Sequence, residues 1–127
     1  MANLFWDTSA LVKHYHSELG TDKVDNLLQT QGSRHAISRL GVTETFSVFA
    51  GKVRAGLITL DEFQRLCRRF LADTRGKTFS VARLLVAHHK EAERLLRLYG
   101  PQPCQGLRAL DGLQLAVALD LRKTGYH

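Results

Sequence analysis

The spacing of apolar residues predicts strands and helices that alternate along the chain. Leu4 to Trp6 is an unbroken apolar run that ends at Asp7, which is the pattern of a short buried strand. His35 to Ile37 and Thr78 to Ala82 predict two further strands, the second from its partial alternation of polar and apolar residues. Each predicted strand is short, and each is followed by a segment of helical period.

Helices are predicted in the segments between and after these strands, where apolar residues recur at helical spacing. The predicted helices begin at Thr8, Thr21, Val42 and Leu60, and the last two run from Leu84 to Tyr99 and from about Ala109 to Lys123. Asp73 to Gly76 is predicted to be a loop. Strands separated by helical pairs indicate an α/β domain with a parallel sheet. Ligand sites in such sheets form beyond the carboxyl ends of the strands, which is where Asp7 stands.

Length and composition are those of one globular domain. The chain has 127 residues, of which 44% are hydrophobic and 24% charged, so one domain over residues 1–127 can bury its own core. The start lacks the basic segment of an export signal, and no apolar run approaches the ~20 residues of a membrane span. A cytoplasmic protein without membrane contact is therefore expected. Cys67 and Cys104 match no zinc spacing and are expected to be reduced.

The charge balance favours a polyanionic partner. Eighteen lysines and arginines against 12 acids give a net charge of +6, which suits RNA or DNA, although many small basic proteins bind neither. One basic stretch is interpreted as a solvated helix face that could also contact phosphate or an acidic partner. It consists of Arg65, Arg68, Arg69, Arg75 and Lys77.

Three carboxylates stand where apolar surroundings make a polar side chain costly. Asp7 follows the first strand, Glu44 lies near a helix start, and Asp111 belongs to the most apolar helix of the chain. A buried carboxylate normally finds a cation or becomes neutral. Several that converge without basic partners repel each other, and a divalent cation relieves that repulsion. Oxygen ligands suit Mg²⁺ or Mn²⁺.

Each acid also has a purely structural interpretation. Asp7 before a helix can act as a cap, Glu44 can be the partner of a capping Thr or Ser, and Asp111 can complement a helix dipole. The joint placement of all three favours the metal interpretation.

At these positions the sequence resembles the PIN-domain family, and within it the VapC-like toxins of bacterial toxin–antitoxin pairs. Three segments carry the resemblance in the family's order: Trp6 to Lys13, Val42 to Phe46, and Leu107 to Ala118. In the third, Gln114 stands where the family often has histidine. The intervening helices are similar in length and order, so the resemblance covers nearly the whole chain.

The resemblance implies a three-layer α/β/α domain with a short central parallel sheet. It also implies a metal-dependent endoribonuclease that cuts RNA to leave a 5′-phosphate. Asp7, Glu44 and Asp111 would be the catalytic acids and would hold one or two Mg²⁺ or Mn²⁺ ions. The metal would activate a water molecule as the nucleophile and stabilise charge on the phosphate. A cognate antitoxin would hold the enzyme inactive.

Further residues are assigned roles around this site. Thr8 and Ser9 would add hydroxyl groups to the network of metal and water. Lys13 and Arg108 are candidates to hold the RNA backbone, because basic side chains neutralise phosphates. These assignments follow from the position of each residue in the matching segments.

The end of the chain departs from the family's pattern. The family carries a fourth strand and another acid after the last helix, but here Thr124 to His127 stands where that strand should begin. Asp120 is no substitute, because at about 100° per residue it faces away from Asp111. A C-terminally truncated domain is therefore expected, with the first strand at a sheet edge that favours a homodimer or an exchanged segment.

Two other functions stay open. A catalytically impaired PIN-like module that binds RNA or a protein is the alternative, because the fourth acidic residue is lacking. The same acids could also serve a DNA-directed nuclease.

Overall fold

Strands and helices alternate in the order that the apolar pattern predicts. The computed structural model describes residues 2–76 and 78–127, so Lys77 of the basic stretch lies outside the described residues. The strands are β1 (Asn3–Phe5), β2 (Arg34–Ser38) and β3 (Ser80–Ala82). The helices are α1 (Thr8–Tyr15), α2 (Thr21–Gln29), α3 (Arg39–Arg54), α4 (Leu60–Arg75), α5 (Val86–Tyr99) and α6 (Ala109–Arg122).

The three strands form one parallel sheet in the order β1-β2-β3. Leu4 of β1 is paired with His35 of β2. Because all strands run in the same direction, their carboxyl ends lie at one edge of the sheet, where β1 leads to Asp7 and β2 ends at Ser38. The α/β class and the parallel sheet are confirmed, and the three-layer PIN-like arrangement stays a prediction.

An aromatic core packs against the sheet. Phe70 contacts the ring of Tyr15 edge-on at a centroid distance of 5.5 Å and that of Phe49 at 6.3 Å, a geometry that aromatic pairs favour. Trp6 donates its indole N–H to Nδ1 of His35 at 3.0 Å, which joins β1 to β2. The main buried cluster contains Trp6, Leu11, Val12, Tyr15, Val24, Ile37, Val42, Phe49, Phe70 and Phe79.

His127 lies along the outer side of β1. The backbone N–H of Phe5 donates to the carbonyl of His127 at 2.6 Å, and the N–H of His127 donates to the carbonyl of Asn3 at 2.7 Å. These two bonds are the pattern of a parallel bridge. β1 is therefore at the edge of the three-stranded sheet, as expected, and part of its outer side is already paired.

Helix α3 begins earlier than the sequence predicts. It starts at Arg39, directly after β2, and not at Val42. Ser38 is the N-cap, and its hydroxyl oxygen accepts the backbone N–H of Gly41 at 2.9 Å. This cap allows the strand to pass into the helix without a loop. Glu44 consequently lies in the second turn of α3 and not in the first.

Helix α4 continues through the segment that was predicted to be a loop. Asp73 and Thr74 are helical, and the helix ends at Arg75. Tyr15 donates its hydroxyl to the carboxylate of Asp73, so the last turn of α4 has an anchor on α1 that local sequence does not reveal. No helix in residues 2–76 and 78–127 is long and apolar enough to cross a membrane.

Helix α6 is held against α5. A Cβ at Gly112 would stand 3.4 Å from Cγ of Leu96 and 3.6 Å from the carbonyl of Ala92, so glycine permits the close approach of the two helices. His88 is buried, and its Nε2 lies 2.8 Å from Oδ2 of Asp120. These contacts fix the position of the α6 turn that carries Asp111.

Candidate functional site

Asp7 follows β1 and occupies the N-cap position of α1. Its backbone carbonyl accepts the N–H groups of Ala10 and Leu11, but its side chain makes no capping hydrogen bond. The carboxylate instead accepts a hydrogen bond from the hydroxyl of Ser9 at 2.6 Å and is exposed. Capping therefore does not account for this carboxylate.

Glu44 is the half-buried acid of the three. Its Oε1 accepts a hydrogen bond from Nε2 of Gln114 at 2.9 Å. Burial raises the pKa of the Glu44 carboxyl above its ordinary value, and the negative charges of Asp7 and Asp111 also raise it. Hydrogen bonds from Gln114 and Thr8 act in the opposite direction. Because α3 is capped by Ser38, Glu44 is not a capping partner.

Asp111 lies in the first turn of α6 and is exposed. It shares a cavity of about 300 Å³ with Asp7 and Gln114. The apolar part of this cavity is formed by Phe5, Leu115 and Ala118. The three predicted acids therefore come to the same end of the sheet from α1, α3 and α6. We call Asp7, Glu44 and Asp111 the acidic end.

One expectation about these acids is wrong. The sequence predicts three carboxylates in apolar surroundings, yet Asp7 and Asp111 are exposed to solvent. Both stand at helix starts, where the chain leaves the core, so apolar neighbours in sequence do not bury them. Only Glu44 carries a desolvation cost, and the repulsion from its two neighbours adds to it.

The donor set suits a hard divalent cation, although the side chains do not already surround one point. Among the described residues no three His, Cys, Asp or Glu side chains form a ready metal-binding group. In that same part of the chain the ion pairs are those of other residues, so no base neutralises the acidic end. Carboxylate and hydroxyl oxygens are the ligands that Mg²⁺ and Mn²⁺ accept. The chemistry of the donors fits, and a bound ion would have to draw the carboxylates together.

The two hydroxyl residues predicted to support the site lie beside it. Thr8 is buried, and its Oγ1 accepts a long hydrogen bond of 3.4 Å from Gln114. Ser9 is exposed and donates to Asp7. Thr8 therefore belongs to the buried side of the acidic end, and Ser9 to its solvent side.

The two basic candidates differ in their surroundings. Lys13 donates to the carbonyl of Leu19 at 2.7 Å and lies 3.4 Å from Glu18, so its ammonium group has protein partners. Arg108 is exposed at the N-cap of α6, one turn before Asp111. Of the two, Arg108 is the one that is exposed and adjacent in α6 to a member of the acidic end.

No role was predicted for Gln114, the polar side chain that connects the elements of the acidic end. Gln114 is buried, with 5% of its surface exposed, and contacts Ser38, Thr8 and Glu44. A signal was present in the sequence: an amide in the most apolar helix, one turn after Asp111, needs hydrogen-bond partners when that helix packs. The identity of the partners comes from the fold alone.

Neither the comparison with protein-family models nor the search of curated proteins gives a match for this chain. The resemblance to PIN domains therefore stays a prediction from the sequence segments.

Proposed function

We propose that this protein is a metal-dependent endoribonuclease of the PIN-domain type, similar to VapC-like toxins. One observation carries the proposal: Asp7, Glu44 and Asp111 meet at the carboxyl end of a parallel sheet without a basic partner among the described residues. Such an arrangement costs stability unless a cation is bound, which favours a functional role for the acids.

Phosphodiester hydrolysis would proceed by attack of a water oxygen on phosphorus, cleavage of the P–O3′ bond and transfer of a proton to O3′. A 5′-phosphate and a 3′-hydroxyl would result. Mg²⁺ or Mn²⁺ bound by the acids would supply activation of the water and stabilisation of the developing charge. Ser9 donates to the Asp7 carboxylate and would help to hold it, and Arg108 at the N-cap of α6 would contact a neighbouring phosphate.

The same resemblance carries the proposals about partners. A cognate antitoxin would cover the acidic end, the protein would act on RNA in the cytoplasm, and it would form a homodimer. β1 is the edge strand of the sheet, but His127 already occupies the N–H of Phe5 and the carbonyl of Asn3, so a partner chain would have to displace His127 to pair with β1.

The test is a manganese titration with an RNA and with a single-stranded DNA of the same sequence, using wild type and Asp7→Asn. Metal-dependent cleavage of RNA by wild type, abolished in Asp7→Asn, is expected. Asp22→Asn, an exposed acid on α2, is the matched control and should cleave normally. Cleavage of DNA alone would redirect the proposal to a DNA nuclease.

A second candidate is a catalytically impaired module that binds RNA or a protein. It is favoured by the lack of a ready group of three metal-binding side chains among the described residues. RNA binding that is saturable but accompanied by no cleavage at any manganese concentration would establish this candidate instead.

A further inference from the structure

The side chain of Gln114 connects all the elements that build the acidic end. It lies on α6 and touches Ser38 at the end of β2, Thr8 at the start of α1 and Glu44 on α3. Its burial to 5% exposure means that each of its polar atoms needs a protein partner.

The Gln114 amide accepts a hydrogen bond through its oxygen and donates through its nitrogen. The Ser38 hydroxyl oxygen accepts from the backbone N–H of Gly41, and its own hydrogen donates to Oε1 of Gln114 at 2.6 Å. The amide nitrogen of Gln114 donates to Oε1 of Glu44 at 2.9 Å, and an ionised carboxylate can only accept, which favours this orientation of the amide.

Gly41 provides the space for this amide. A Cβ at that position would stand 3.3 Å from Nε2 of Gln114 and 3.4 Å from Oγ of Ser38. The first distance is tighter than most Cβ contacts and the second is at the lower limit of ordinary contact, so an alanine would make the amide give way by a few tenths of an ångström. The absence of a side chain at Gly41 therefore leaves room on α3 for the Gln114 amide.

We propose that Gln114 is a positioning residue, which orients the Glu44 carboxylate for a divalent cation without neutralising its charge. This inference rests on the proposed function. A lysine or arginine in the same place would also hold the carboxylate but would cancel the charge that attracts a metal. An amide is a neutral donor, so it fixes the direction of one oxygen and leaves the negative charge to the cation. Partners of metal ligands act in this way in other sites.

The first test measures Mn²⁺ affinity without RNA, by calorimetric titration of wild type and Gln114→Met. Methionine has a similar length and no amide, so the Mn²⁺ dissociation constant should rise about tenfold or more. Gln64→Met, at an exposed position on α4, is the control and should bind as wild type does. Equal affinities of wild type and Gln114→Met, or no saturable Mn²⁺ binding by wild type, would overturn the proposal.

A second variant covers the case in which Gln114→Met does not fold. Gly41→Ala removes no hydrogen-bonding group and gives α3 a better helix former, yet it displaces the amide. We expect weaker Mn²⁺ binding without loss of thermal stability. Gly51→Ala in the same helix, where a Cβ would meet only the end of the Arg54 side chain, is the matched control. Unchanged Mn²⁺ affinity in Gly41→Ala would contradict the positioning role.

Failure of the nuclease proposal would look different. If wild type binds Mn²⁺, Gln114→Met binds it more weakly, and neither protein cleaves RNA, the positioning role stands and the nuclease activity does not.

Discussion

Two polar regions of this molecule differ in the hydrogen-bond partners of their carboxylates. Five residues on α1, α2 and α4 form what we call the paired flank (His14, Tyr15, Asp25, Arg69 and Asp73), and both of its carboxylates have a donor. At the acidic end, the carboxylates meet only hydroxyls and an amide. The first arrangement stabilises the fold, and the second leaves the negative charges without a basic partner among the described residues.

The contacts of the paired flank form a continuous network. Arg69 donates to Nε2 of His14 at 3.0 Å, so the proton of that ring is on Nδ1, which lies 2.6 Å from Asp25. The guanidinium also stands 5.0 Å from the centre of the Tyr15 ring, within cation–π range. Burial raises the pKa of the Tyr15 phenol, and so does its hydrogen bond to Asp73, so the phenol stays a donor. Arg69 of the predicted basic stretch is therefore a structural residue.

The largest expected effect is on activity, and it separates the two regions directly. On the proposed function, Asp111→Asn should lower manganese-dependent RNA cleavage by ~100-fold or more, because loss of a proposed metal ligand would remove several kcal/mol of charge stabilisation. Asp73→Asn on the paired flank should leave cleavage unchanged. Initial rates on one RNA at saturating manganese are the measurement. Equal losses in both variants would show that the comparison between the regions is wrong.

The next effect is on stability and should be confined to the paired flank. Tyr15→Phe removes the hydroxyl that donates to Asp73, and a hydrogen bond to a charged group contributes about 1.5–3 kcal/mol. We expect the free energy of unfolding in urea to fall by about that amount, with no change in Mn²⁺ affinity. Tyr99→Phe, at a half-exposed ring, is the control and should unfold as wild type does. A drop in Mn²⁺ affinity would mean that the two regions are coupled.

The smallest effect is a pH-dependent difference in the free energy of unfolding, caused by the charge of Glu44. Because the pKa of Glu44 is raised in the folded chain, its protonated form stabilises folding at low pH, and this contribution is lost as the pH rises through that pKa. Gln at this position does not titrate and still offers an oxygen to Gln114. Without metal, Glu44→Gln should therefore gain stability relative to wild type as the pH rises.

Urea unfolding at pH 4 and pH 8 with a chelator present measures this difference. Glu93→Gln, at an exposed position on α5, should show none. If the stability of Glu44→Gln relative to wild type were the same at both pH values, the charge of Glu44 would not be costly in the fold.

Local sequence patterns predicted the elements better than their ends. The run from Leu4 to Trp6 marks β1 because a buried strand leaves an unbroken apolar signature. Helix α4 extends beyond its predicted end, where Asp73 has a partner on α1. β3 is shorter than predicted, since the backbone N–H of Phe79 donates to the carbonyl of Asp73 in α4 and not to a neighbouring strand. In both places the end of the element depends on a contact with another part of the chain, which a short stretch of sequence does not reveal.

The candidate site was predictable to the extent that it lies within single segments. Asp7, Glu44 and Asp111 could be chosen because each stands out in its own segment. The network around Gln114 could not, since its contacts with Ser38 and Glu44 join residues 76 and 70 positions apart. Which polar groups meet over such separations is set by the packing of α6, and the sequence has no local pattern for it.

The contact between Gln114 and Thr8 spans 106 positions, and this separation has a consequence for synthesis. Contacts so distant in sequence can form only after the chain between them has been made and has closed its loops. A nascent chain that has emerged only through α5 contains Asp7 and Glu44 but neither the orienting amide nor the third carboxylate. On the proposed function, the ribosome that makes this protein would not be exposed to its activity until α6 has emerged and docked.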